Sequence, residues 1–137
     1  MNVATIRDNL QARLAGQIAA ARWFDVWPNV IKTPAGIVER IAGPDREVLG
    51  ASGPYRARLH VVLLAGPSSD VKRSRDKLDP YLATSGASSV RAALEGDSTL
   101  GGTIEKLIVG EAADDNQIEA NGNQYVGAVV PVDVWAT

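Results

Sequence analysis

The sequence predicts an α+β fold in one domain covering residues 1–137: a mostly antiparallel or mixed sheet of about four strands, packed with two to three helices. A long β-hairpin lies near the C-terminal end. Three observations carry this expectation. Apolar residues recur at helical spacing near the start, two later stretches alternate strictly by twos, and Asn121-Gly122 stands directly before the second of them. A chain of 137 residues can bury one substantial core and is short for two.

Val3, Ile6, Leu10, Leu14 and Ile18 form the stripe of a first helix, predicted over residues 3–20. Gly16 weakens it by about 1 kcal/mol relative to alanine, so packing must hold its end. Residues 23–28 (WFDVWP) follow, with two readings. One is a short strand whose rings cover the end of the core. The other makes Trp23 or Trp27 an intersubunit anchor, because tryptophan is enriched at the buried centres of interfaces. Pro28 ends any strand there or sets it on an edge. Residues 36–41 (GIVERI) predict a second strand, and residues 42–54, with their glycines and prolines, a long loop.

Residues 55–65 give the clearest strand. Tyr55, Ala57, Leu59, Val61 and Leu63 share one face; Arg56, Arg58, His60, Val62 and Leu64 share the other. The second face starts charged and turns apolar, which predicts a strand running from a rim into a region covered on both sides. Ser68 or Ser69 is the expected cap of a second helix, with Val71, Leu78 and Leu82 inward and a basic face of Lys72, Arg73, Arg75 and Lys77. Such a face either meets phosphates or is solvated. Pro80 is expected to bend or restart the helix. After a break at Gly86, Ser88 is the expected cap of a short third helix that a left-handed Gly96 would stop. Gly101-Gly102 then turn the chain into a strand over residues 103–110. Residues 111–122 (EAADDNQIEANG) predict an acidic, turn-rich loop closed by Asn121-Gly122. Residues 125–135 form the last strand, where Pro131 predicts an edge or a bulge.

Composition removes several functions. A net charge of −2 lacks the basic excess of a dedicated nucleic-acid binder. With no cysteine there is no thiolate nucleophile, disulfide or cysteine metal site. No apolar run reaches the roughly 20 residues of a membrane span, and the first residues lack the pattern of a signal peptide; a cytoplasmic, soluble product is expected. His60 is the single histidine, so neither a histidine metal cluster nor a second imidazole is available. The glycine-rich GDSTLGG lacks the Lys-Ser/Thr of a phosphate-binding loop. The expectation is no enzyme, no cofactor and no metal.

The run SSVRAALEGDSTLGGTIEKLIV, then a polar hairpin and QYVGAVVPVDVWA, resembles the C-terminal half of the tail terminator and minor tail (tail-completion) proteins of tailed bacteriophages. The matching positions are Asp97, Thr99, Leu100, Gly101 and Gly102 in the turn, and Tyr125, Gly127 and Ala128 in the closing strand. The first helix and RARLHVVLLAG fit the same order; the Trp23–Trp27 patch and the length of the 42–54 segment fall outside the pattern. The resemblance implies a virion structural protein that caps the tail tube as a homo-hexameric ring, ends tail polymerisation and offers a joining surface to the head connector. Its partners would be its own copies, the major tail tube protein and a connector or head-closure protein, with DNA only as passing cargo. A head-closure or connector role is the near alternative. From a different class, a small ligand-binding domain or enzyme would rest on Arg56, Arg58 and His60.

An exposed sheet edge templates pairing with another chain. The polar hairpin is therefore expected to reach a neighbouring copy, presenting Glu111, Asp114, Asp115 and Glu119 to Arg73, Arg75 and Lys77, with residues 42–54 and 111–123 becoming ordered only on assembly.

Overall fold

The first apolar stripe becomes helix α1, Val3–Gln17, in a computed structural model that describes residues 1–46 and 54–137. Asn2 caps it, its side-chain oxygen accepting from Thr5 N at 3.1 Å. The helix stops short of residue 20. Ile18 leaves helical geometry yet stays buried, donating its N–H to Leu14 O at 2.7 Å, so the apolar spacing outlasts the helix.

Strands β1 (Arg22–Phe24), β2 (Ala35–Arg46) and β3 (Tyr55–Pro67) precede helices α2 (Val71–Leu82) and α3 (Val90–Glu95); β4 (Lys106–Val109), β5 (Ala113–Ala120) and β6 (Asn123–Ala136) follow. They make one α+β unit with a mixed sheet ordered β1-β2-β3-β6-β4, and β5 also pairs with β6. Only β1–β2 is parallel; the other pairings are antiparallel. The sheet has six strands rather than about four: β1 realises the short-strand reading of residues 23–28, and β5 is an addition.

β5 replaces the loop expected at 111–122. Asn121 (φ 50°) and Gly122 (φ 81°) form the tight turn their sequence predicts, and that turn fixes residues 113–120 against β6. The backbone ladder carries this strand with little apolar help, since only Ile118 and Ala120 pack inward. Residues 42–46, also expected as loop, continue β2 through irregularities between Arg40 and Ala42 and between Ala42 and Asp45. The rest of that expected loop, residues 47–53, lies outside the described residues.

Pro131 occupies neither an edge nor a bulge: β6 is central, and Pro131 faces His60 of β3. The imide is tolerated because of what lies on its other side. A residue in a strand points its N and C=O the same way, and Pro131 O accepts from Gly110 N at 2.7 Å. Its missing N–H therefore faces the gap where β4 ends and β5 has not begun.

Other local expectations shift by a residue or two. Asp70, not Ser68 or Ser69, caps α2, accepting from Arg73 N at 3.3 Å. Pro80 sits inside α2 without ending it. Of the expected inward residues Leu78 is buried and Leu82 packs half-buried on the main cluster, while Ser74 and Tyr81 complete the buried face and Val71 is only half-buried. Ser89, not Ser88, caps α3, accepting from Ala92 N at 3.1 Å. Gly96 ends α3 in right-handed geometry (φ −68°), and the left-handed conformations fall on Leu100, Gly101 and Gly102 instead.

The larger apolar cluster lies between the sheet and its helices: Ile6, Leu10 and Leu14 of α1, Leu78 and Tyr81 of α2, Val90 and Leu94 of α3, against Leu59, Val61, Val130 and Val132. Among the described residues, the opposite sheet face is covered only at one end. There Ile37, Val62, Leu64, Ala120 and Tyr125 are packed by Phe24, Trp27 and Ile31. β3 is thus apolar on both faces along its second half, as its alternation predicts.

Candidate functional site

Register maps the other half of that second face. Lys106, Trp135, Arg56 and Asp45 lie in one row across β4, β6, β3 and β2; Ile108, Asp133, Arg58 and Ala42 form the next. Pro131, His60 and Glu39 make a third row, after which the apolar cluster begins. Asp133 is the hub. Its carboxylate accepts from Arg56 at 3.0 Å and from Arg58 at 2.9 and 3.2 Å. The Arg58 hydrogen bond holds this carboxyl below the usual range; partial burial opposes the shift and Arg56 adds to it. Trp135 is buried beneath cations, with Lys106 Nζ 4.5 Å and the Arg56 guanidinium 5.7 Å from its ring centre. The Arg56–Arg58–His60 face is real, but both arginines already spend a hydrogen bond on Asp133. A small anion would have to compete with a carboxylate fixed in the sheet. Lys106, Asp133 and Trp135 were not legible as partners of the arginines without the β3–β6 register.

Four large apolar side chains stand exposed among the described residues: Val26 (77%), Val30 (74%), Ile41 (50%) and Ile108 (52%). Ile41 and Ile108 lie on opposite borders of the sheet, on β2 and β4. The two borders are shaped differently. Beyond β1, which pairs only with Ala35, Gly36 and Ile37, the outer edge of β2 has no strand partner among the described residues. A cleft of about 460 Å³ runs there, lined by residues 37–40, by Arg7 of α1, and by Asp25, Val26 and Trp27. Because α1 belongs to the helix-side cluster and Trp27 to the opposite one, the cleft is a slot open along the strand edge and walled on both faces.

The sequence-predicted interaction residues separate into two groups. Trp23 is an internal cover: it packs on the main cluster, its Nε1 donates to Ile18 O at 3.1 Å, and its ring fills the space that a side chain at Gly36 would need. Trp27 is half-buried on the second cluster while lining the slot. Glu111, Asp114, Asp115 and Glu119 are exposed, but along β5 and the link before it rather than at the hairpin tip. The tip itself is held: the Asn121 side chain donates to Pro28 O. Asp115 accepts from Gln117 N at 2.9 Å where β5 changes register. Arg73, Arg75 and Lys77 are exposed on α2, and Arg75 donates to Asn116 of β5 at 2.9 Å. The basic helix face thus already adjoins the acidic strand within one chain.

The joint between α3 and β4 turns at Gly101 and Gly102 as expected, but β4 begins at Lys106 rather than at Thr103. Asp97 Oδ1 accepts from Gly101 N at 3.2 Å, and Asn9 of α1 donates to Thr103 Oγ1 at 2.9 Å. Gly127 lies against the Leu63 carbonyl, where no Cβ fits.

Fold and borders together define an α+β domain whose sheet ends on one side in a strand edge beside a cleft and on the other in the short strand β4. No helix of the described residues is long and apolar enough to cross a membrane. No family model matches the chain, and no curated protein matches it.

Proposed function

We propose that this chain is a structural subunit of a tailed-phage virion, of the tail-terminator type, acting as a ring on the tail tube and as a joining surface toward the head. The observation that carries the reading is the Asp-x-Thr-Leu-Gly-Gly joint. Its Asp97 and Gly101 are hydrogen-bonded to each other, its Leu100, Gly101 and Gly102 have positive φ, and it delivers β4 to the outer side of β6. Asp97, Gly101 and Gly102 each have a backbone reason in this turn, which makes the likeness stronger than one of composition alone. The unlike borders of the sheet support it too, since a ring of identical copies joins one surface to a different one.

The test is the mass of the purified protein with and without purified tail tubes, and electron micrographs of the same samples. Rings, free or seated on tube ends, are the expected result. A monomer that never binds tubes at any accessible concentration would exclude the terminator role.

A further inference from the structure

We infer that β4 of one copy enters the slot along β2 of the next and continues its sheet; this rests on the ring reading above and specifies its contact. The slot is walled on both faces while its floor is a strand edge that, beyond Ile37, pairs with no strand among the described residues. The object that satisfies such a floor is an extended strand, bonding through its main chain with alternate side chains meeting the two walls. β4 is a strand of that kind. Its outer edge has no partner among the described residues, and Leu107 and Val109 are buried on the helix side while Ile108 is exposed on the other. In the slot, Ile108 would meet the wall carrying exposed Val26 and half-buried Trp27.

The charges fit this occupant: Glu105 just before β4 and Lys106 at its start can each meet an opposite charge among Arg7, Arg40, Glu39 and Asp25 of the slot. β4 and the stretch 37–40 of β2 are both regular in register, whereas β5, the competing edge, breaks between Asp115 and Ile118, and a bulge spoils edge pairing. One border receives and the other inserts, so the contact repeats head to tail.

The chain contains no cysteine, which makes directed cross-linking clean. Glu39→Cys and Ile108→Cys, both exposed and on the same sheet face, are joined with a short bis-maleimide in the full-length protein under the conditions that give assembly. The double variant should yield a ladder of covalent multimers. Mixing the two single variants should stop at dimers, and each single variant alone should stay monomeric. Ile108→Asp should weaken association at least about tenfold with unchanged circular dichroism, the ratio expected when one branched aliphatic anchor is lost. Rings without a ladder would overturn the slot contact and leave the proposed function standing. Dimers of Ile108→Cys alone would overturn it in favour of a two-fold contact. Cross-links only to tail tube protein would give the slot to another partner, and absence of any assembly would remove both readings together.

Discussion

At the scale of single residues, Asp133 and Gly127 support the sheet in different ways. Asp133 draws Arg56 and Arg58 together from β3, and its carboxyl is held below the usual range by those hydrogen bonds. A carboxylate with a depressed folded pKa adds stability above its unfolded pKa and loses it as pH falls through the folded value. Asp133→Asn should therefore destabilise the protein at neutral pH, and the gap from wild type should narrow as pH drops below about 4, the ordinary carboxylate range. Denaturant melts of both proteins at several pH values measure this; a gap independent of pH would mean the ion pairs add nothing. Gly127 is required by close approach, since any Cβ would run into the Leu63 carbonyl of the neighbouring strand. Gly127→Ala should cost about 1–3 kcal/mol, the usual range for overpacking a core, read from the midpoint of urea unfolding. The spacing RARLH exposed the cations to a sequence reader. Their partner was hidden because it lies in a strand far along the chain, and only pairing register brings them together.

At the scale of elements, legibility followed side-chain pattern. α1, β3 and β6 were plain because their apolar faces repeat at 3.6 or 2 residues, and those faces are the ones buried. β5 was missed because Ala-Asp-Asp-Asn-Gln-Ile-Glu-Ala has almost no such face; a turn and a ladder hold it, and neither leaves an apolar signature. The Asn-Gly turn was the available clue, because it requires a strand on each side. That dependence is testable. Gly122→Val puts a β-branched residue at φ 81° and should unfasten β5 first, seen as faster amide exchange across residues 113–120 than across β3. Pro80 shows the reverse case, a local signal overridden by packing. α2 runs through it because Leu78 and Tyr81 on either side are fixed in the core. Pro80→Ala should raise the melting temperature by restoring a helix hydrogen bond, provided the Leu78–Tyr81 packing is kept.

At the scale of the whole molecule, polarity is distributed by face and by border. One sheet face is closed by helices, the other, among the described residues, by a short aromatic segment at one end, and the two borders are unlike. Acidic β5 and basic α2 already adjoin through Arg75 and Asn116. Reversing Asp114 and Asp115 to lysine should therefore disturb the subunit's own surface as well as any neighbour's, with a melting shift that shrinks as salt is raised. β6 has the widest role in this plan: it is the partner of β3 on one side and of both β4 and β5 on the other. It is also made after all of them. At roughly 10 residues per second, several seconds separate the appearance of β3 on a ribosome from that of the strand completing it. Through that interval β3, apolar on both faces along its second half, lacks the β6 partner it has in the folded chain. The growing chain is therefore most vulnerable to sticking to its neighbours before β6 emerges, and a cell making many copies on one messenger must keep those half-finished sheets apart.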